Sequence, residues 1–363
     1  MPTPPFDTPV AAPPKTWKIA VLPGDGIGLE VTREAVKVLQ ALAARRPEIS
    51  FEFAEHAVGA EVFRLTGNPL PDPVFEACRS ADAILLGAMG LPNIRWPDGR
   101  ELTPQIDLRE RLDLYCGLRP IRLLDPADSP LKNGSARPID LLIVRENTEG
   151  LFSSRQTRFD PGAASVSDQM RITRHGSERI FHAAFAQARQ RRRKVTLVDK
   201  ANVLPSMVFF RQVFQQVARQ YPDLDTECVY VDAAALYLVQ HPERFDVLVT
   251  ENMFGDILSD LAAGLVGGMG MAPSADIGDR AAVFQPAHGT APDIAGRGIA
   301  NPVAAILSAA MMLDWLGSPE TRQGAERIRQ AVTRVLAQPQ NRTPDLGGAI
   351  STSQMGDLIV SQL

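Results

Sequence analysis

Cysteine is scarce in this sequence, and the few thiols stand far apart. The 363 residues include three cysteines, Cys78, Cys116 and Cys228, with no C-x-x-C pair and no zinc-binding spacing. This pattern excludes a disulfide framework and a cysteine-based zinc centre, and it is typical of a reducing compartment. We expect all three cysteines to be small buried side chains.

Long hydrophobic runs and an excess of positive charge are also missing. The most apolar stretch, AAILSAAMMLDWL (304–316), is too short to span a bilayer and contains Asp314, so it predicts a buried core helix. The formal net charge of −4 provides no basic field for nucleic acid. Residues 1–15 are proline-rich without a continuous apolar core, which indicates a disordered leader rather than a secretory signal. These features predict a cytoplasmic protein that binds neither nucleic acid nor membrane.

What the chain does contain is an alternation of short β-rich runs and longer segments with helical spacing. WKIAVLPGDGIG predicts a strand that enters a glycine-rich turn, and LEVTREAVKVLQALAAR predicts the helix that follows it. Because this alternation recurs along the chain, we expect an α/β fold with a largely parallel sheet. Several predicted strands end at a charged or polar residue, which is where α/β proteins usually keep their sites.

Two glycine-containing loops suggest nucleotide contacts to different degrees. PGDGIG (23–28) has the spacing G-x-G-x-G and no glycine where G-x-G-x-x-G requires the third, so a tight turn and a ligand contact remain equal alternatives. The loop QPAHGTAPDIAGRGIANP (285–302) has small residues that allow a flat ligand to approach the backbone. There His288 could stack on a base, and Asp293 could accept hydrogen bonds from ribose hydroxyls while repelling a 2′-phosphate. A long surface loop is the alternative.

Three arginines indicate a substrate with more than one carboxylate. Arg109 and Arg119 lie in DLRERLDLYCGLRP, and Arg145 ends the apolar run LLIVREN. Arginine is planar, always charged and suited to bidentate carboxylate binding. Each arginine taken alone could instead form a structural ion pair.

Acidic residues in NMFGDILSD suggest a cation site. On a helix, Asp256 and Asp260 would lie on one face, one turn apart, where the two carboxylates repel unless a positive charge lies between them. Asp232, in YVDAAAL, could supply a third carboxylate for Mg²⁺ or Mn²⁺. Lys200, in VDKANVL, is either a surface charge or a proton-transfer group.

In order, and across nearly the whole chain from Lys18, these segments resemble the β-decarboxylating dehydrogenases. That family includes isopropylmalate, homoisocitrate, isocitrate and tartrate/D-malate dehydrogenases. The resemblance rests on LPGDGIG, LR…LDLYCGLRP, VRENTEG, DKANVL, VDAAAL, NMFGDILSDLAAGLVGG, HGTAPDIAGRGIANP and TPDLGG. It implies two α/β domains with an active-site cleft between them. One is a discontinuous NAD-binding domain of residues 16–114 and 267–363; the other is a substrate, metal and dimerisation domain of residues 115–266.

The resemblance further implies a homodimer whose active sites are shared between chains. Lys200 and Asp232 of the partner subunit would be catalytic, and Asp232 of the partner subunit would join Asp256 and Asp260 in holding Mg²⁺ or Mn²⁺. The implied substrate ligands are Arg109, Arg119, Arg145, Lys200 and Asn202, and the implied cofactor ligands are His288, Gly289, Thr290, Ala291, Asp293 and Asn301. Because relatives that use NADP carry a lysine and a tyrosine where this chain has Asp293 and Ile294, NAD is expected.

The implied activity is NAD- and metal-dependent oxidative decarboxylation of a 3-substituted malate, with 3-isopropylmalate first and homoisocitrate, isocitrate, tartrate or D-malate as alternatives. This chain departs from the family in two places. Phe152 replaces a tyrosine that helps to protonate the enolate, so either Lys200 with water takes over or decarboxylation lags behind oxidation. Gln105 and Ile106 replace a pair of leucines that receive the isopropyl group.

Two other classes of function remain as alternatives. Some relatives are non-catalytic regulatory subunits, but the presence of Lys200, the three aspartates and the three arginines argues against that role. A 2-hydroxy-acid oxidoreductase that does not decarboxylate would be recognised by NADH formation without CO₂.

Overall fold

The computed structural model describes residues 15–132, 138–158, 160 and 162–363. The leader expected at residues 1–15 therefore lies outside the described residues, apart from Lys15. The Lys15 ammonium lies 3.2 Å from the Asp82 carboxylate.

The described chain contains ten strands, which belong to a single mixed sheet. In chain order they are β1 (Thr16–Gly24), β2 (Ser50–Glu55), β3 (Ala83–Ala88), β4 (Cys116–Arg122), β5 (Asp140–Glu146), β6 (Lys194–Asp199), β7 (Asp225–Tyr230), β8 (Val247–Thr250), β9 (Pro273–Ile277) and β10 (Ala282–Pro286). Their order across the sheet is β2-β1-β3-β10-β9-β4-β5-β8-β6-β7.

Antiparallel pairing is confined to the centre of the sheet, where β10 pairs with β9, β9 with β4, and β4 with β5. The outer pairings are parallel on both sides. The predicted α/β fold with a largely parallel sheet is confirmed. Strands β9 and β10 come late in the chain yet lie between β3 and β4, so they bring C-terminal residues beside the first arginine-bearing segments.

The helices of the described residues cover both faces of the sheet. They are α1 (Gly28–Arg45), α2 (Ala60–Thr66), α3 (Asp72–Ser80), α4 (Pro104–Arg111), α5 (Arg174–Arg189), α6 (Pro205–Ala218), α7 (Val231–Gln240), α8 (Asn252–Gly264), α9 (Val303–Leu316), α10 (Pro319–Leu336) and α11 (Thr352–Ser361). None of them is both long and apolar enough to cross a membrane.

Helix α9 is the predicted core helix. Most of its side chains are buried, and Leu313 is fully buried. Burying one leucine of this size stabilises the fold by about 1.5–3 kcal/mol. Asp314 faces outward and pairs with Arg329 of α10. The helix ends at Gly317, which adopts the left-handed conformation that glycine allows (φ +81°).

Two large hydrophobic cores pack against opposite halves of the sheet. One core joins α1, α9 and α10 to β1, β3 and β10, and another packs α5 and α6 on β5, β6 and β8. Leu118 and Ile277, on the central strands, contact both cores. The domain limits at 16–114, 115–266 and 267–363 stay a prediction.

The expectation that every cysteine is buried is wrong for Cys228. Cys78 and Cys116 are buried, but Cys228 is exposed. It lies on β7, the edge strand, where exposed and half-buried residues alternate and where one side of the backbone has no neighbouring strand.

The glycine-rich turn after β1 packs against the second loop. Gly26 is left-handed (φ +59°), and a Cβ there would lie 2.1 Å from the carbonyl oxygen of Thr290. The next residue, Ile27, donates its N–H to that same oxygen at 2.9 Å. Buried Asp25 accepts hydrogen bonds from the N–H groups of Ala60 and Gly90, at 2.7 and 2.8 Å. These contacts support the tight-turn interpretation, and a ligand contact stays a prediction.

Candidate active site

One cleft brings the predicted arginines and the acidic pair together. Arg109 comes from α4, Arg119 and Arg145 from β4 and β5, and Asp256 and Asp260 from α8. A cavity of about 240 Å³ is lined by all five. Its lining also includes Gln105, Ile106, Phe152, Gln285, His288 and Gly289.

Asp276, on β9, organises two of the arginines and was missed by the sequence reasoning. Its Oδ2 lies 3.0 Å from Arg109 Nη2, and its Oδ1 lies 3.0 Å from Arg119 Nη2. The side chain is only 3% exposed. Burial alone would raise the pKa of Asp276, but the charges of Arg109 and Arg119 outweigh it and hold that pKa well below its usual range. Asp276 is therefore an ionised carboxylate that lies between two guanidinium groups and pairs with both.

Two amides complete the surroundings of this carboxylate. Asn147 Nδ2 donates to Oδ1 at 2.9 Å, and Gln285 Nε2 donates to Oδ2 at 3.0 Å. With the two arginines, the four donor groups occupy the acceptor positions that a carboxylate offers. Asp276 is thus fully engaged within the protein. Its role in the site is to hold Arg109 and Arg119 in place.

Arg145 is held by α8 rather than by Asp276. Its Nε and Nη2 donate to Asn252 Oδ1 at 2.9 and 2.7 Å, and its Nη1 pairs with Asp256. Burial, followed by repulsion from Arg109, lowers the pKa of Arg145 to about 10, so the group is still charged at neutral pH. Such close approach requires Gly255, because a Cβ at that position would lie 2.7 Å from Arg145 Cγ.

The acidic pair lies on one face of α8, as its spacing predicts. Glu251 caps the helix by accepting the N–H groups of Phe254 and Met253, at 2.7 and 3.1 Å. Asp256 is paired with Arg145, whereas Asp260 has no ion pair with any residue that the structure describes. Burial, and then the negative charge of Asp256, raise the pKa of Asp260. Two hard oxygen ligands on one helix face, one of them without an ion-pair partner in the described residues, fit a divalent cation.

Asp232 lies apart from that pair within a single chain. Among the described residues, no cluster of three or more Asp, Glu, His or Cys side chains is arranged to hold a metal. Asp232 instead accepts a hydrogen bond from Lys200 Nζ at 2.7 Å, which lowers its pKa. Neither residue lines the cleft. The predicted metal and proton-transfer residues therefore form two separate groups in one chain.

Asp199 stabilises the turn that carries Lys200. This buried carboxylate accepts the N–H of Ala201 at 3.0 Å and pairs with Arg211 at 2.6 Å. The main chain then turns outward, so the side chain of Lys200 is partly exposed and Asn202 is exposed. Asn202 follows Lys200 on the surface and does not line the cleft.

The predicted cofactor loop begins beside the cleft. His288 Nδ1 lies 2.8 Å from the carbonyl oxygen of Gly289, while Nε2 is buried without a hydrogen-bond partner in the described chain. Burial lowers the pKa of His288, which favours the neutral imidazole. Thr290 is buried and donates to Gly90 O at 2.8 Å, and Ala291 has a positive φ of 39°. Hydrogen bonds of His288 and Thr290 with backbone carbonyl groups thus fix the start of the loop.

Further along the loop, Asp293 and Asn301 differ sharply. Asp293 is exposed, as a carboxylate that receives ribose hydroxyls would have to be. Asn301 is buried, and its side chain accepts Val303 N–H at 3.0 Å and donates to Asp345 at 3.1 Å. Glu30, also missed from sequence, accepts the N–H of Gly298 at 3.1 Å and so holds the loop against α1. The cofactor roles of these residues stay predictions.

A larger cavity, of about 890 Å³, lies on the opposite face of the same central strands. Leu118 and Pro120 of β4 line it, whereas Arg119 between them lines the cleft. Likewise Ala275 lines this cavity while its neighbour Asp276 binds the arginines. Alternation along a strand therefore separates the two spaces. The smaller one is the candidate active site because it contains the arginines and the acidic pair.

Comparison with known proteins identifies the family. The family model for isocitrate/isopropylmalate dehydrogenase matches residues 18–359. The chain is 46% identical to the 3-isopropylmalate dehydrogenase of Moorella thermoacetica, covering 96% of this chain and 99% of that protein. It is 42% identical to the 3-isopropylmalate dehydrogenase of Aquifex aeolicus, covering 96% and 98%.

Solved structures show the same relationship. The isocitrate dehydrogenase of Methylococcus capsulatus superposes with a TM-score of 0.86 at 38% identity, over 95% of this chain and 99% of that one. A β-decarboxylating dehydrogenase from Thermococcus kodakarensis gives a TM-score of 0.78 at 39% identity, over 95% and 96%. The fold is thus that of a decarboxylating dehydrogenase. The chain belongs to the isocitrate/isopropylmalate dehydrogenase family.

Proposed function

We propose that this protein catalyses the NAD-dependent oxidative decarboxylation of 3-isopropylmalate, with Mg²⁺ or Mn²⁺, as a homodimer. The observation that carries the proposal is the convergence of three buried arginines and an acidic pair on one cleft. Relatives named for this activity match 96% of the chain, which supports the choice of substrate.

The arginines would bind the two carboxylates of a malate-type acid. Asp276 offsets part of the charge of Arg109 and Arg119, and Asp256 offsets part of that of Arg145. With Asp260, three carboxylates face three arginines. A bound divalent cation would therefore leave an excess of positive charge, which a dicarboxylate would balance. Because Asp276 fixes two guanidinium groups before substrate arrives, little ordering remains to be done on binding.

The cation would be held by Asp256 and Asp260 together with Asp232 of the partner subunit. When bound, it polarises the 2-hydroxyl and stabilises the negative charge that develops as CO₂ leaves. Lys200 of the partner subunit would accept the hydroxyl proton and later return a proton to the carbon that has lost CO₂. Phe152 has no proton to donate, so this second transfer rests on Lys200 and water.

A second copy of the chain would complete the site. Lys200 and Asp232 lie on a surface that also exposes large apolar side chains of α7 and α8 and of the turn before α6. Val203 is 64% exposed, Leu236 52% and Ile257 59%. Exposed apolar residues grouped in this way typically mark an interface. We infer that this surface pairs with its counterpart and carries Lys200 to the neighbouring cleft.

NAD would bind along the loop from His288 to Asn301, with the adenosine ribose at Asp293. An exposed carboxylate accepts two ribose hydroxyls and repels a 2′-phosphate, so NADP would bind poorly. The proposed two-domain division places this loop in the unit that combines residues 16–114 and 267–363.

The test is NADH formation with Mn²⁺ against 3-isopropylmalate, homoisocitrate, isocitrate, tartrate and D-malate, with CO₂ measured in parallel. We expect NADH and CO₂ in equal amounts, with the highest kcat/KM on 3-isopropylmalate. NADH without CO₂ would show that Phe152 has uncoupled oxidation from decarboxylation. A preference for another acid would refute the assigned substrate, and inactivity on all of them would refute the assigned reaction.

One observation favours tartrate as a second candidate substrate. Gln105 lines the cleft, and its Oε1 is buried without a hydrogen-bond partner among the described residues. A hydroxyl on C3 would satisfy that acceptor, whereas an isopropyl group would not. The relative kcat/KM values of the two acids decide between them.

A further inference from the structure

Arg155 joins two distant segments at the wall of the cleft. It follows the 3₁₀ turn Leu151–Ser154, and its side chain is only 18% exposed. Its Nε and Nη2 bind both carboxylate oxygens of Glu110, at 2.8 and 2.6 Å. The same Nη2 binds Asp107 at 2.6 Å, and Nη1 reaches Thr103 Oγ1 at 3.3 Å. We call this set of contacts the Arg155 latch.

The latch connects the turn that carries Phe152 to the helix that carries Arg109. Glu110 and Asp107 flank Arg109 on α4, which precedes β4. Phe152 follows β5 and lies three residues before Arg155. Arg179 bridges the same two parts of the chain further from the cleft, with Nη1 on Asp113 at 2.7 Å and Nη2 on Thr148 at 2.9 Å. A planar guanidinium with two fixed carboxylate partners sets both distance and orientation between them.

Phe152 and Ile106 form the partition that the latch stabilises. Both line the active-site cleft, and both also line a neighbouring cavity of about 590 Å³. Arg155 and Asp107 lie on the far side, in the lining of that second cavity. The partition is therefore apolar on its cleft side and backed by an ion pair. If the latch opened, the two cavities would be free to merge.

We propose that Arg155 is a positioning residue for substrate specificity, holding Phe152 and Ile106 together as an apolar wall against the C3 substituent of the substrate. This inference rests on the proposed function. It gives Phe152 a packing role in place of the proton transfer that its ring cannot perform. The phenyl ring and the isoleucine side chain suit a branched alkyl group, and a substrate without a substituent would not contact the wall.

The test compares Arg155→Gln with wild type on 3-isopropylmalate and on D-malate, which has no C3 substituent. We expect kcat/KM for 3-isopropylmalate to fall about tenfold or more, mainly through KM, as for lost contacts with one or two methyl groups. D-malate should change by less than about twofold, since Arg109 remains held by Asp276. Arg155→Lys, which keeps the charge without the fork, should recover part of the loss.

Arg100→Gln is the matched control. Arg100 lines the same second cavity but pairs with Asp98, near the surface, rather than with α4. This variant makes the same change of charge and should leave the ratio of the two kcat/KM values unchanged.

The outcomes separate this inference from the proposed function. If wild type prefers another substituted acid, the proposed substrate fails, and the ratio is then measured for that acid against D-malate. An Arg155→Gln variant that affects both acids equally, or neither, overturns the inference. A wild-type enzyme that uses no substituted acid better than D-malate overturns it as well.

Discussion

Replacing Asp276 with asparagine should weaken the fold as well as the site. The substitution keeps the shape of the side chain but removes the charge that offsets Arg109 and Arg119. It also turns an NH₂ group toward donors that previously met an oxygen. Both arginines are 5% exposed, so water cannot replace the lost partner.

The magnitude follows from the burial of the pair. Removing one partner of a buried ion pair typically costs about 3–5 kcal/mol, because the remaining charge is left uncompensated. With an unfolding entropy of about 2 cal/mol/K per residue, a loss of ~4 kcal/mol lowers Tm by about 5 °C in a chain of this length. A dicarboxylate ligand should recover part of the loss, since it supplies negative charge to the same arginines.

The assay is thermal unfolding at fixed protein concentration, followed by calorimetry and circular dichroism. Asp314→Asn serves as the control, since Asp314 forms a partly exposed pair with Arg329 whose loss should cost under about 1 kcal/mol. An Asp276→Asn variant that melts within about 1 °C of wild type would contradict the role assigned to Asp276.

Three further predictions follow from local geometry and charge. Gly26→Ala should lower the free energy of unfolding by about 2 kcal/mol or more, because φ is left-handed and the new Cβ clashes with the Thr290 carbonyl. Gly99→Ala should cost about 1 kcal/mol, since φ there is also positive but no atom lies within 4 Å. Thermal unfolding of both variants measures the difference. Asp260→Asn should abolish the rise in Tm that Mn²⁺ gives to wild type, and an undiminished rise would refute the cation site. Burial raises the pKa of Glu146 to about 7, above its unfolded value. Between about pH 4.5 and 7 the folded state therefore keeps a proton that the unfolded state loses, so the stability of wild type should fall as the pH rises through that range. Glu146→Gln, in denaturant titrations across that range, should lack this loss of roughly 3 kcal/mol.

Local patterns predicted much of the site because its residues end strands or repeat at helical spacing. Arg145 sits at the end of an apolar run that is indeed β5, and Asp256 and Asp260 share a face of α8. Such features depend on residues that are close in sequence, so they can be predicted from the sequence alone.

The partners of those residues could not be predicted in the same way. Asp276 lies 167 residues from Arg109, and nothing in the local pattern links the two. One signal was available: a carboxylate inside the apolar run PSADI must be paired if the strand is buried. The contacts of Arg155 with α4 likewise join residues more than 40 positions apart, which hydrophobic periodicity does not predict. The burial of Cys228 was predicted wrongly because its apolar run, CVYVD, does not show that the strand lies at the edge of the sheet.

In the proposed homodimer, the two groups that are separated within one chain meet in one active site. Subunit complementation tests it most directly. Lys200→Ala and Asp256→Asn, each with its own affinity tag, are purified singly and as a co-expressed mixed dimer. Each variant alone should be inactive, whereas the mixed dimer should regain about half of wild-type activity, because one of its two sites contains no substitution. A mixed dimer as inactive as its parents would contradict the shared site.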